Sequence, residues 1–293
     1  MNSMNSPGIQ ARSDGQADFD FYPYNPNKPA AWTFVILFAI GTVVHLAYIF
    51  PFRSWFFIPF ILGCSAEAGG YYGRAWAHNN RRAGDPYILQ LFLIIGATPL
   101  LSASIYMTLS RLVRALDAVR YSLVRISWVS KIYILIDIAC LVLQVMGTVT
   151  QAYGGAGEQQ KAIKLITGGL VFQLIAFVVF ILLALRVHFR LNREPTLISA
   201  HPRVQWRRSF WALYVCSTLV LVRNLVRILE FNQGSGGTIG SHEAFLYIFD
   251  ACPMFAVVLL LAIIYPGFVT KTSRRLSKNR PESPSIPLFV DRE

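Results

Sequence analysis

Apolar residues dominate seven stretches of this chain, each about 20 residues long and separated by shorter polar segments. They cover about 31–50, 55–74, 87–110, 130–150, 165–185, 209–230 and 243–264. A helix rises 1.5 Å per residue, so roughly 20 residues cross the ~30 Å hydrocarbon core of a bilayer. Lipid offers no partner to backbone N–H and C=O groups, so runs of this length must bond internally as helices. The pattern predicts an all-α polytopic membrane protein with seven transmembrane helices, occupying residues 30–268. The flanks, 1–29 and 269–293, are polar or basic and read as disordered tails.

Composition supports this reading and charge orients it. Only 14% of the 293 residues are charged and 54% are hydrophobic, whereas soluble domains carry about a quarter charged residues. With the N-terminus outside, Arg53, Arg111, Arg114, Arg120, Arg125, Arg186, Arg190, Arg193, Arg203, Arg207, Arg208 and the basic tail all face the cytoplasm. The outer side then keeps Arg12, Lys28, Arg81, Arg82, Lys161 and Lys164. Lys and Arg accumulate on the cytoplasmic side of membrane proteins, which predicts N-outside and C-cytoplasmic. The net charge of +12 is therefore read as topology, with anionic headgroups as partners of the basic cytoplasmic loops. No nucleic-acid motif accompanies it, and no nucleic-acid partner is expected.

Several charged groups nevertheless fall inside the apolar stretches, and they fall in register. Glu67, Tyr71 and Arg74 recur at i, i+4 and i+7 in the second stretch. Arg223, Arg227 and Glu230 repeat that spacing in the sixth, and Glu243, Tyr247 and Asp250 in the seventh. Asp137 and Gln144 lie seven apart in the fourth, and Gln173 lies in the fifth. Such spacing puts each set on one helix face. With the N-terminus outside, most of these groups share the outer half of the membrane. That predicts an outward-facing polar cavity walled by the second, fourth, sixth and seventh spans.

An isolated ionised side chain at mid-bilayer costs roughly 2.5–3.5 kcal/mol on insertion scales, so these groups must face each other or water. Arg74, Arg223 and Arg227 are the available partners for Glu67, Asp137, Glu230, Glu243 and Asp250. Five carboxylates against three arginines leave room for a cationic headgroup or a proton. The competing reading is a network that only pins the helices together.

Other chemistry finds no motif. The chain contains no GxxxxGK[ST], no HExxH and no GxSxG, so no ATP hydrolysis, metalloprotease or serine-hydrolase site is expected. Cys64, Cys140, Cys216 and Cys252 sit in apolar runs without CxxC or histidine spacing, and read as buried thiols rather than ligands. No catalytic residue, metal or cofactor is predicted. His45 reads as a packed histidine.

The strings EAGGYYGR, ATPLLSASIYMTLSRL, DIACLVLQVMG, TGGLVFQLIAFVVF, RNLVRILE and HEAFLYIFDACPM occur in this order, each in its own span or shared between the last two. Together they resemble the fungal lipid-translocating exporter family, the RTA-like group named for resistance to 7-aminocholesterol, over about residues 30–268. The resemblance implies seven helices in a fungal plasma or internal membrane and export or flipping of sphingoid long-chain bases. For other members it implies sterol-analogue resistance or porphyrin handling. It also maps the family's recurrent polar positions onto the residues named above together with Tyr106 and Arg111. One departure is Tyr265, where many members have histidine.

The resulting expectation is an ATP-independent transporter of amphipathic lipids in the plasma membrane or an internal one. Glu67, Asp137 and Asp250 would hold a cationic amine while Arg223 and Arg227 balance the empty cavity. The rival is a seven-helix sensor of lipid or membrane stress. A G-protein-coupled receptor is disfavoured, because the chain lacks a DRY-like triplet, an NPxxY motif and loop cysteines. The oligomeric state is not readable.

Overall fold

The computed structural model describes residues 24–278, apart from 80, 123–124, 154–156 and 234–236. Among the described residues every regular element is helical. The helices are α1 (Lys28–Phe52), α2 (Ile58–Ala77), α3 (Gly84–Ala115), α4 (Ile126–Tyr153), α5 (Gln159–Arg193) and α6 (Trp206–Gln233). Two short helices follow, α7 (Thr238–Ser241) and α8 (Glu243–Leu246). A π-helical stretch at Tyr247–Ala251 then leads into α9 (Cys252–Ile263) and α10 (Gly267–Lys278).

Among the described residues six helical segments are long and apolar enough to cross a membrane, the last of them running through Glu243–Leu276. The chain is an integral, multi-pass membrane protein. The expected second span corresponds to α2, which has 20 residues but is not among the six. Glu67, Arg74 and a run of glycines make it more polar than its neighbours.

The caps explain where α1 begins and ends. Asn27 accepts a hydrogen bond from the Ala30 N–H, 3.1 Å away, and Pro29 follows in the first turn. Arg53 closes the helix in the left-handed region at φ 48°. On α1, Ile36, Ile40, Val43 and Phe50 are all exposed, a stripe at helical spacing that suits lipid contact. The opposite face buries Phe38, His45 and Ile49. His45 is indeed packed, donating from Nε2 to the Val258 carbonyl at 3.1 Å and stacking on Phe57.

Each long helix packs on the next, and α9 returns to α1 and α6, closing the bundle. α3 also meets α6 and α10. The α2–α3 contact depends on small residues. A β-carbon at Gly73 would stand 3.0 Å from the Pro86 carbonyl oxygen and 3.1 Å from the Gln90 nitrogen, both rigid backbone atoms. Gly147 makes the equivalent approach of α4 to α5, with the Ala162 carbonyl oxygen 2.9 Å from such an atom. Close backbone approach of this kind holds membrane helices together where the hydrophobic effect cannot. A Gly73→Val variant is accordingly expected to lose roughly 1–3 kcal/mol through overpacking. Thermal unfolding of the detergent-solubilised chain checks this; an unchanged midpoint would show that the α2–α3 contact is slack.

Three expectations need correction. Residues 24–29 are ordered against the bundle, as described below, although the whole of 1–29 reads as a tail; 1–23 lie outside the described residues. The basic tail begins with a helix, α10, whose Val269 and Ser273 are buried while Arg274 and Arg275 are exposed. Lys271 of that helix donates to the Pro51 carbonyl at 3.2 Å. Its amphipathic period is hidden in the sequence by the density of basic residues; 279–293 lie outside the described residues. Cys252 is exposed, unlike the other three cysteines, because α9 turns that face away from the core.

The two ends of the bundle differ in charge. The end holding the termini of α3, α5 and α10 and the start of α6 carries Arg111, Arg114, Arg190, Arg193, Arg207, Arg208, Arg274 and Arg275. Thr196 ties this end together by donating to the Leu116 carbonyl at 2.6 Å.

Candidate functional site

The polar residues predicted inside the spans form two groups rather than one. The larger lies among α2, α3, α6, α8 and the π-helical stretch.

At its edge stands Arg74, which is 1% exposed. It donates to Glu243 through Nε at 3.1 Å and through Nη2 at 2.9 Å. It also donates to the hydroxyls of Tyr24 at 2.9 Å and Tyr247 at 3.3 Å. Glu243 in turn accepts from the backbone N–H of Asn27, with 2.9 Å to each oxygen. His78 bonds the Pro26 carbonyl at 2.7 Å. The segment before α1 is thus strapped across the ends of α2 and α8. Tyr24 and Asn27 were missed in the sequence because a polar, Pro/Asn-rich stretch carries no periodicity. Their only signal is an aromatic and an Asn cap just ahead of the first span.

Deeper in the bundle, Asp250 takes two arginines. It pairs with Arg223 and accepts from Arg227 Nη2 at 2.7 Å. Arg227 also donates to Glu230 at 3.1 Å, one turn further along α6. Arg223 reaches α3, where it donates to the Ile94 carbonyl at 3.4 Å.

The π-helical stretch sets this arrangement. Pro253 has no N–H to return to the Phe249 carbonyl and its ring crowds that position, so the α-helical ladder gives way ahead of it. The expected i, i+4, i+7 face of Glu243, Tyr247 and Asp250 is therefore split. Glu243 and Tyr247 face Arg74, while Asp250 turns to Arg223 and Arg227.

Glu67 and Tyr71 of α2 lie beside this cluster, both fully buried. Arg223, Asp250 and Arg227 are the charged neighbours of Glu67. Neither of its oxygens has a hydrogen-bond partner among the described residues. Tyr71 is held flat against Phe38, with ring centroids 5.8 Å apart, and its hydroxyl is likewise unpartnered among those residues. Asn224, next to Arg223, is another buried side chain without a partner among them. Its sequence signal, an amide in the middle of an apolar run, was overshadowed by the arginines on either side.

The second group lies among α3, α4 and α5. Asp137 is 1% exposed and faces Tyr106 of α3 and Gln173 of α5. Gln144 donates to Gln173 at 3.3 Å. α4 packs chiefly on α3 and α5, so it does not wall the cavity expected for the second, fourth, sixth and seventh spans. The polar spacing says which residues recur along a helix but not which helices meet.

The cavity itself is small. A pocket of about 20 Å³ is lined by Tyr24, Arg223, Arg227, Glu230, Phe249 and Asp250, among others. That is room for a water molecule and not for a lipid headgroup. No cluster of histidine, cysteine and carboxylate suited to a metal occurs among the described residues.

A family model described as "RTA1 like protein" matches residues 60–273. The chain belongs to the RTA1-like family. Protein RTA1 of Saccharomyces cerevisiae is 31% identical over 278 residues, covering 85% of this chain and 85% of that protein. Protoporphyrin uptake protein 1 of the same yeast is 32% identical over 290 residues, covering 86% and 93%. Sphingoid long-chain base transporter RSB1 of Saccharomyces cerevisiae is 25% identical over 305 residues, covering 92% and 80%. No solved structure matches. The RTA1-like match contains both polar groups from Glu67 to Asp250, while the strap formed by Tyr24 and Asn27 precedes it. Of these relatives, one is named for uptake and one for transport.

Proposed function

We propose that this chain is an ATP-independent translocator of amphipathic lipids, with sphingoid long-chain bases as the best-fitting class. The observation that carries this reading is Glu67. In the larger polar group Arg74, Arg223 and Arg227 face Glu67, Glu230, Glu243 and Asp250, three cations against four carboxylates. The others are engaged in ion pairs, and Glu67 is the one left without a hydrogen bond among the described residues. A buried carboxylate beside a nearly balanced network can take up one positive charge, and a protonated amine at the head of an apolar chain supplies it.

In this reading Glu67 meets the amine, Asp250 and its arginines hold the site open electrostatically, and Tyr71, Tyr247 and Glu230 shape its edge. Asp137, Gln144 and Gln173 stand apart from it. The closeness of the pocket fits a resting conformation, with the segment from α8 through the π-helical stretch as the part that must move. With α2 counted as a seventh span the termini lie on opposite sides, and the positive-inside rule favours the arginine-rich end in the cytoplasm and the N-terminus outside, in the plasma membrane or an internal one. There the basic loops would meet anionic headgroups, and a surface cleft of about 550 Å³ beside His201, Arg207 and Arg208 would accommodate one.

Replacing Glu67 with glutamine tests the reading. Export of a labelled long-chain base is expected to fall at least tenfold at normal surface expression, while folding is retained because no ion pair is broken. Undiminished export would remove Glu67 from the site and sink the assignment.

A further inference from the structure

α4 buries a polar seam. Ser130, Tyr133, Asp137, Cys140 and Gln144 follow one another at intervals of three and four residues, and so share the face turned to α3 and α5. From Ser130 to Gln144 the seam spans about 21 Å along the helix axis. At one end the Ser130 hydroxyl lies 2.7 Å from that of Ser110 and donates to the Tyr106 carbonyl at 3.2 Å. At the other, half-buried Gln144 donates to Gln173.

Asp137 occupies the middle. The groups facing it are the Tyr106 hydroxyl from α3, the Gln173 amide from α5 and Cys140 from its own helix, with Tyr133 lying against Tyr106. None is a cation. No ion pair to Asp137 forms among the described residues, and neither of its oxygens attains a full hydrogen bond there. Asp250 is equally buried but holds two guanidinium groups. The two carboxyl groups therefore do different work.

We infer that Asp137 is a proton-binding site, and that the seam along α4 carries its proton to and from water while the lipid moves through the separate group around Glu67. A buried carboxyl group without a cation is held in its neutral form. When the proton leaves, the Tyr106 O–H and the Gln173 N–H₂ are placed to donate to the carboxylate, so both states have partners. The cycle needs no oxidant or nucleotide. The carboxylic acid gives a proton to water at one end of the seam, and the carboxylate takes one from water at the other. This inference rests on the lipid-translocation reading and supplies its energy source.

The test uses the full chain purified into liposomes, a pH-sensitive dye in the lumen and a clamped membrane potential. The probe is a trimethylated sphingoid base, whose fixed charge carries no exchangeable proton. Wild type is expected to move protons as the probe moves, and Asp137→Asn to lower the protons moved per lipid at least threefold. Asp137→Glu is expected to restore the ratio. An Asp137→Asn ratio equal to wild type overturns the inference. So does wild-type lipid movement without proton flux, which leaves the translocation reading standing. Infrared spectroscopy of the wild-type chain gives an answer even if no lipid moves or the amide variant fails to fold. A protonated carboxylic acid band that persists in Glu67→Gln and shifts in heavy water is expected, and its absence overturns the inference.

Discussion

An Asp250→Asn variant is expected to lose roughly 3–5 kcal/mol of stability, the cost of leaving a buried charge without its partner. Asp250 and Arg223 are each 5% exposed as side chains, and Arg227 is 19% exposed. The amide keeps the volume and one acceptor but removes the negative charge that both guanidinium groups share. Arg227 keeps Glu230, so the burden falls mainly on Arg223, whose remaining hydrogen bond among the described residues is to the Ile94 carbonyl. Thermal unfolding in detergent and the yield of folded protein measure the loss. Replacing the pair together, as Arg223→Met with Asp250→Leu, is expected to recover more than half of it, because neither Arg223 nor Asp250 is then left buried without the other. A stable Asp250→Asn single variant would show that Glu67 already supplies the missing charge. Loss of export in an Asp250 variant is therefore ambiguous, whereas Glu67 offers the cleaner test of ligand binding.

The second large effect belongs to Arg74. An Arg74→Met variant is expected to lose about 3 kcal/mol, again by breaking a buried pair, and to release two segments at once. Tyr24, Glu243 and Tyr247 all converge on this guanidinium. Without it Glu243 keeps the Asn27 N–H and the neighbouring Tyr247 hydroxyl among the described residues. Hydrogen exchange is expected to rise around residues 24–30 and 243–247 together, while α4 and α5 stay protected. Glu243→Gln should cost a similar amount, and the double variant less than the sum, since both remove one shared interaction. Strict additivity, or faster exchange spread over the whole bundle, would mean that Arg74 is no strap.

The fold was legible in the sequence wherever length and hydropathy decide. The apolar runs became the long helices, generally a few residues longer at each end, because α-helical bonding continues past the hydrocarbon into polar flanks. α1 and α10 show where that reading stops. Asn27 caps a helix and Glu243 receives its N–H, but a cap only three residues from the run and a partner 216 positions away leave no local pattern. In α10, Val269 and Ser273 are buried where the helix packs chiefly on α3, a contact that no local pattern announces.

What the sequence by itself determined was that these side chains had to be satisfied: charges spaced at i, i+4 and i+7 in helices too apolar to solvate them must find partners. The family resemblance was legible in the same strings. What only the tertiary structure decided was the pairing. Pro253 and the π-helical stretch ahead of it turned Asp250 away from Glu243, sending one to Arg223 and Arg227 and the other to Arg74. The packing of α4 on α3 and α5 then removed Asp137 from the group that the sequence had placed it in. Helical spacing specifies which residues share a face; which face it meets is set by backbone breaks and by the glycines that let neighbouring helices approach.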